Sequence, residues 1–168
     1  MSLSIDLLSS KKHNRSTFQC GDDSLDDYIK TRASQELKKK VSTPFVLTEP
    51  PNQAVFGYYC LSSYSLDVSD LVEPVAKGLP RYPVLPATLI GRLAVDSRHQ
   101  GKGYGGYLLL DAMRKVLEAS TKVASVALIV DVIDREVVSF YLRHGFIKFP
   151  NDPLKLYISM ESIEKLNL

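Results

Sequence analysis

Between Val95 and Gly106 the chain reads Val95-Asp96-Ser97-Arg98-His99-Gln100-Gly101-Lys102-Gly103-Tyr104-Gly105-Gly106. Upstream, Thr88 to Val95 has the apolar character of a strand. Downstream, the stretch from Gly103 to Ser120 places Leu108, Leu109, Ala112, Met113, Val116 and Leu117 on one helical face. Four glycines, at 101, 103, 105 and 106, therefore fall where a strand turns into a helix. Glycine lets backbone approach a ligand closely and adopt positive φ. Free amides at a helix start, reinforced by the dipole, form an anion site, so phosphate is the expected ligand. The loop is not a P-loop, because Lys102 is followed by Gly103 and not by Ser or Thr. Gly101, Gly103 and Gly106 do satisfy G-x-G-x-x-G. The loop lies mid-chain after four strands, however, and Asp131 stands slightly too far on for the acidic partner of a dinucleotide site. A plain tight turn is the remaining, non-functional reading.

Outward from the loop, the spacing predicts an alternating chain. Leu3 to Leu8 is a first strand, and Lys11 to Cys20 a polar loop. A helix opens at Ser24 with a capping-box-like Asp27, carries Leu25, Tyr28, Ile29, Ala33 and Leu37, and ends in Lys38, Lys39 and Lys40. Phe45–Leu47 and Val55–Leu61 form a hairpin across Pro50-Pro51-Asn52. Residues 63–86, with four prolines, read as an irregular connection. Lys122 to Asp131 has the near-continuous apolar pattern of a strand buried on both faces. Asp134 caps a helix to His144 with Gly145 beyond its end, and two strands follow, Phe146–Phe149 and Leu154–Met160. The order is that of an α/β or α+β chain with a mixed sheet.

Composition narrows the classes. With 168 residues, 45% hydrophobic, 24% charged and net charge +2, the chain is an ordinary globular domain rather than a disordered one. No apolar run approaches the ~18 residues of a membrane span. The start, MSLSIDLLSSKK, lacks the basic and apolar regions of a secretory signal, so a cytoplasmic location is expected. Cys20 and Cys60 have no metal or disulfide spacing and read as half-buried thiols in a reducing compartment. His13, His99 and His144 are scattered without metal-like companions and read as surface residues; no metal is expected.

Gln100-x-x-Gly103-x-Gly105 resembles the [RQ]-x-x-G-x-[GA] motif of GCN5-related N-acetyltransferases (GNAT), and Phe140-Tyr141-Leu142-Arg143-His144-Gly145-Phe146 resembles that family's FY-x-x-x-GF. The element order matches as well. The resemblance implies a single domain over 1–168, with a GNAT-type mixed sheet flanked by helices, the acyl-CoA N-acyltransferase fold. It implies acetyl-CoA as acyl donor. Gln100, Gly101, Lys102, Gly103, Tyr104, Gly105 and Gly106 would hold its pyrophosphate, and Leu93, Ala94 and Val95, on a strand splayed by a bulge, would grip pantetheine. Two further stretches, Leu79 to Pro86 leading into Gly91–Asp96 and Phe18–Gly21 before Leu25–Ile29, resemble the acetyltransferase toxins of toxin–antitoxin pairs. Those acetylate the α-amino group of aminoacyl-tRNA and pair with a ribbon-helix-helix antitoxin.

Tyr141 is, by periodicity, a core aromatic beside Val137, Val138 and Phe140; the resemblance makes it the acid that protonates the leaving thiolate. An α-amine with pKa near ~8 needs no strong base. Asp96, Asp131 and Asp134 all have simpler turn or cap roles. Arg92 is either a solvated strand charge or a substrate contact, as is Arg81 on the proline-rich connection. Residues 11–40 carry eight Lys or Arg against five Asp or Glu, a local basic patch. The reading is an acetyltransferase for aminoacyl-tRNA. The alternatives left open are a small-molecule or protein amine as acceptor, a CoA-binding interaction module without turnover, and assembly as a homodimer.

Overall fold

The strand that leads into the glycine-rich loop has its end fixed by backbone hydrogen bonds to other segments. The computed structural model describes residues 2–168. The strands are β1 (Ser4–Leu7), β2 (Thr43–Glu49), β3 (Asn52–Asp67), β4 (Val84–Val95), β5 (Ala127–Asp131), β6 (Ile147–Phe149) and β7 (Asp152–Ser159). They form one mixed sheet in the order β1-β2-β3-β4-β5-β7-β6. β4 and β5 run parallel, Thr88 opposite Leu128 and Ile90 opposite Val130, while β1/β2, β2/β3, β5/β7 and β6/β7 are antiparallel. The helices are α1 (Asp23–Asp27), α2 (Ala33–Lys38), α3 (Glu73–Lys77), α4 (Tyr104–Ala119), α5 (Val138–Arg143) and α6 (Met160–Lys165), with a π-helical turn Tyr28–Arg32 between α1 and α2.

The chain divides into two compact units, residues 1–62 with 91–112, and 63–90 with 113–168. The first has a core of Leu8, Phe18, Tyr28, Ile29, Ala33, Val46, Val55, Tyr58, Cys60 and Ala94. The second packs Leu66, Leu71, Ala87, Ala127, Ile129, Phe149 and Tyr157. Burial of these apolar side chains is the dominant stabilising term in each.

Several expectations need correction. The N-cap of the first helix is Asp22, whose carboxylate accepts from the N–H groups of Ser24 and Leu25, so the capping box at Ser24 does not form. The 63–86 stretch is not irregular. β3 continues to Asp67, α3 starts with Pro74 in its first turn, and β4 begins at Val84 with Pro86 inside it. Proline is tolerated in a first helical turn and where a strand N–H has no ladder role. Residues 122–126 are not strand, since β5 begins at Ala127. A C-terminal helix, α6, follows β7, capped by the Ser159 hydroxyl accepting from Ser162 N–H. Cys60 is fully buried and only Cys20 is half-buried. His13 is buried, not a surface residue: its Nδ1 accepts from Ser9 N–H at 3.0 Å.

Candidate active site

The end of β4 is clasped by the segment 17–20. Ser97 N–H donates to Gln19 O at 2.8 Å, and Asp96 N–H donates to Phe56 O on β3 at 2.8 Å. The Asp96 carboxylate, wholly buried, accepts from Gln19 N–H at 3.1 Å and Arg98 N–H at 2.9 Å, and takes the Arg98 guanidinium in a fork at 2.8 and 2.9 Å. Arg98 also donates to Thr17 O at 2.9 Å. Such bidentate charge-assisted pairs are geometrically specific. Arg98 holds the Asp96 carboxyl down to about 2. Gln100 completes the clasp: its Nε2 donates to Val95 O at 2.9 Å and Cys20 O at 3.2 Å. The glutamine of the motif is thus engaged in holding the loop's shape.

An aromatic layer supports the other side. His99 stacks on Phe56 at 3.7 Å, and Tyr104, first residue of α4, lies parallel to both at 6.2–6.3 Å. Burial, then Lys102, pushes the His99 pKa below its usual value, so the ring sits neutral in this stack. Gly57 permits the close approach. A Cβ there would stand 2.9 Å from Leu108 Cδ1 and 3.0 Å from Ala94 O. Sequence reasoning passed over Gly57 and Phe56; a lone glycine between large apolar residues in a strand was the available signal.

Held in this way, the loop turns outward. Gly101 and Gly103 have φ +78 and +82, and a Cβ on either would meet no heavy atom within 4 Å. The left-handed backbone requires glycine, and the space beyond it is open for a ligand. Among the described residues, no protein acceptor takes the N–H groups from Gly101 to Gly106. They sit at the positive end of the 16-residue α4 beside exposed Lys102. This cradle suits a pyrophosphate. On β4, Ala94 is buried while Leu93 and Val95 are half-buried; the ladder to β5 covers Thr88–Ile90, and β4 runs on to Val95.

The two candidate arginines have different settings. Arg81 is exposed. Arg92 is half-buried with its guanidinium 3.7 Å from the centre of the Tyr28 ring, neither a merely solvated charge nor a core residue. In the second unit, Tyr141 lies on α5, its ring packed edge-on against Phe140 and Phe146 at 5.0 and 5.3 Å. The residue is 5% exposed, yet its hydroxyl is not sealed off and has no hydrogen-bond partner among the described residues. Burial pushes its pKa well up, so the phenol keeps its proton at working pH. Gly145, at φ +92, ends the helix as the Phe-Tyr-x-x-x-Gly-Phe pattern requires. Asp134 caps the turn before α5 by accepting from Glu136 N–H, and Asp131 ends β5 opposite Lys155. Among the described residues no cluster of metal-ligating side chains occurs, and no helix is long and apolar enough to cross a membrane.

A family model described as acetyltransferase (GNAT) domain matches residues 45–148. A tRNA-acetylating toxin of Mycobacterium tuberculosis is 35% identical over 150 residues, 89% of this chain and 88% of that protein. Among solved structures, AtaT complexed with acetyl-methionyl-tRNAfMet superposes with TM-score 0.91 at 28% identity, covering 99% of this chain and 100% of that one. A mutant AtaT toxin bound to the C-terminus of the antitoxin AtaR and acetyl-CoA gives TM-score 0.83 at 26% identity, over 98% of each chain.

Proposed function

The chain belongs to the GNAT acetyltransferase family and is an acetyl-CoA-dependent N-acetyltransferase; on that premise we propose that it acts as a toxin acetylating the α-amino group of aminoacyl-tRNA, with the loop 100–106 and Tyr141 as its working parts. The outward-facing glycine cradle at the start of α4 supports the cofactor half of the reading, and the 35% identity to a tRNA-acetylating toxin carries the acceptor half. A single acetyltransferase domain over residues 1–168 is part of the same proposal.

Acetyl-CoA supplies the activated thioester. Amides from Gly101 to Gly106 and Lys102 hold its phosphates, and Gln100 keeps those amides aimed outward. Leu93, Ala94 and Val95 align the pantetheine arm along β4. The acceptor amine, with pKa near ~8, is largely neutral at working pH and attacks without a dedicated base. As the nitrogen–carbon bond forms and the carbon–sulfur bond breaks, Tyr141 gives its proton to sulfur; the amine's surplus proton leaves to solvent, and solvent returns one to the Tyr141 oxygen, so the free acid is restored. The burial that keeps this phenol protonated also disfavours a free phenolate, so the proton moves only as charge builds on sulfur. Arg81 and Arg92 contact the acceptor.

The relatives extend this reading to partners. The antitoxin-bound toxin supports pairing with an antitoxin; the resemblance to the acetyltransferase toxins makes that antitoxin one of the ribbon-helix-helix kind. A cytoplasmic location and a homodimer complete the proposal. The test is incubation with labelled acetyl-CoA and a total aminoacyl-tRNA pool. Label recovered as N-acetyl-aminoacyl-tRNA is expected; label only on small or protein amines overturns the acceptor.

A further inference from the structure

Each residue from Thr17 to Cys20 is committed to one of two tasks. Phe18 anchors the segment: it is 1% exposed and meets the Tyr58 ring edge-on at 5.5 Å. The Cys20 N–H anchors it again, donating to Asp26 Oδ1 at 2.8 Å and so tying it to α1. The remaining backbone groups face the exit of β4. Thr17 O accepts from Arg98, Gln19 N–H donates to Asp96, Gln19 O accepts from Ser97 N–H, and Cys20 O accepts from Gln100. Gln19 and Asp96 stand 77 positions apart in the chain, so this segment is an external support for the loop.

Such a support is needed because glycine loses more freedom on ordering than any other residue, and the loop beyond it is rich in glycine. Arg98 joins the two parts. Its side chain is 63% exposed, and it stands three residues before Gly101, where a cation could serve a phosphate. Its donors turn inward instead. Nε reaches Asp96 Oδ1 at 2.9 Å, and Nη2 reaches both Asp96 Oδ2 at 2.8 Å and Thr17 O at 2.9 Å. With the N–H groups of Gln19 and Arg98, each Asp96 oxygen accepts twice, which fills its capacity. A planar guanidinium makes this fork and reaches a carbonyl in the same plane; an ammonium cannot.

We propose that Arg98 is a positioning residue for the acyl donor: through Asp96 and Thr17 it fixes the root of the 100–106 loop on the 17–20 segment, and so sets the preference for a thioester that carries a pyrophosphate over the same thioester without one. The proposal rests on the reading of that loop as the pyrophosphate cradle and adds to it Arg98, Asp96 and the 17–20 segment. A loop held beforehand meets the phosphates without an ordering cost, whereas a loosened one must be ordered at the moment of binding.

The test compares two donors on the full chain, acetyl-CoA by calorimetry and acetyl-pantetheine, which has no phosphates, by competition. Arg98→Ala is expected to weaken acetyl-CoA binding about tenfold while acetyl-pantetheine binding stays within about twofold of wild type. Arg98→Lys keeps the charge but not the fork and should recover less than half of the loss on a logarithmic scale. Tyr58→Phe, which removes a buried hydrogen bond elsewhere in the same unit, is the control for stability and should leave both affinities unchanged. Asp96→Asn separates positioning from direct contact. If Arg98 acts through Asp96, Asp96→Asn also weakens acetyl-CoA binding, and the double variant loses less than the two single losses together. Acetyl-CoA binding unchanged or tightened in Asp96→Asn means a freed Arg98 touches phosphate itself, and overturns the proposal. So does an Arg98→Ala protein that loses both donors equally, as a merely structural role would require, or one that keeps the wild-type preference. The underlying reading fails separately: a wild-type protein that binds both donors equally removes the pyrophosphate from the loop and takes the proposal with it, whereas a wild-type preference that survives Arg98→Ala leaves the cradle standing and removes only the role of Arg98.

Discussion

Around Tyr58 the buried phenols end on partners: Tyr58 donates to Leu25 O at 2.7 Å, Tyr59 to Asp111 at 2.6 Å and Tyr28 to Glu36 at 2.8 Å. In the second unit Tyr157 accepts from Val72 N–H at 3.1 Å. Tyr141, equally surrounded by aromatic rings, has no such partner among the described residues. Its ring is buried but its hydroxyl is not sealed off, so folding leaves that oxygen open to a partner from outside the chain. The four engaged hydroxyls fasten elements to one another, while the fifth fastens none. Burial raises the pKa of tied and untied phenols alike, so hydrogen bonding and not acidity separates them.

The largest test of that contrast is Tyr141→Phe. The ring and its packing remain, so melting temperature and acetyl-CoA affinity should hold, while the rate constant for acetyl transfer falls roughly 10²–10⁴-fold, or about 3–5 kcal/mol of barrier. Near-normal turnover would mean that solvent or another donor protonates the thiolate.

The cofactor loop gives the next effect. Gly103→Val places a side chain where backbone φ is +82 and where the proposed pyrophosphate would approach. Calorimetry should find acetyl-CoA binding weaker by about 10–100-fold, with a stability loss of about 1–2 kcal/mol from the left-handed backbone. Unchanged affinity would remove the pyrophosphate from this loop.

Asp96 tests the clasp through pH. Its folded pKa, about 2, lies below the ordinary 3.8. Its stabilisation is therefore fully present above about pH 4 and is lost as pH falls toward 2. The contribution is on the order of 2 kcal/mol. In Asp96→Asn, denaturant titrations should show lower stability near neutrality and a flatter acid limb; an unaltered acid limb would show that other carboxylates dominate it.

Tyr58→Phe is the smallest and the counterpart of the first. Removing the donor to Leu25 O should lower stability by about 1 kcal/mol, a few degrees in melting temperature, with the rate constant within about twofold of wild type. If the rate fell as far as in Tyr141→Phe, the division between fastening and working phenols would collapse.

The amino-acid sequence determined the elements whose signals are local. Glycines at 101, 103 and 145 were legible as positive-φ positions because only glycine takes that backbone freely. The apolar face of α4 announced itself by period, and Asp134 by its place before a helix. The 63–86 stretch hid a strand extension and a helix because proline statistics describe helix interiors and central strands, not the first turn of α3 or the strand position of Pro86. What only the tertiary structure decided lies between residues distant in the chain. Gln100 reaches back to Cys20, Asp96 joins Gln19 to Arg98, Phe56 supports His99, and Arg92 lies over the Tyr28 ring. No periodicity records such contacts, because they depend on which strands pair and how closely β3, β4 and α4 approach at Gly57. The identity of Tyr141 was visible in the sequence. That its hydroxyl, alone among the buried phenols, has no partner among the described residues depends on where every other side chain packs.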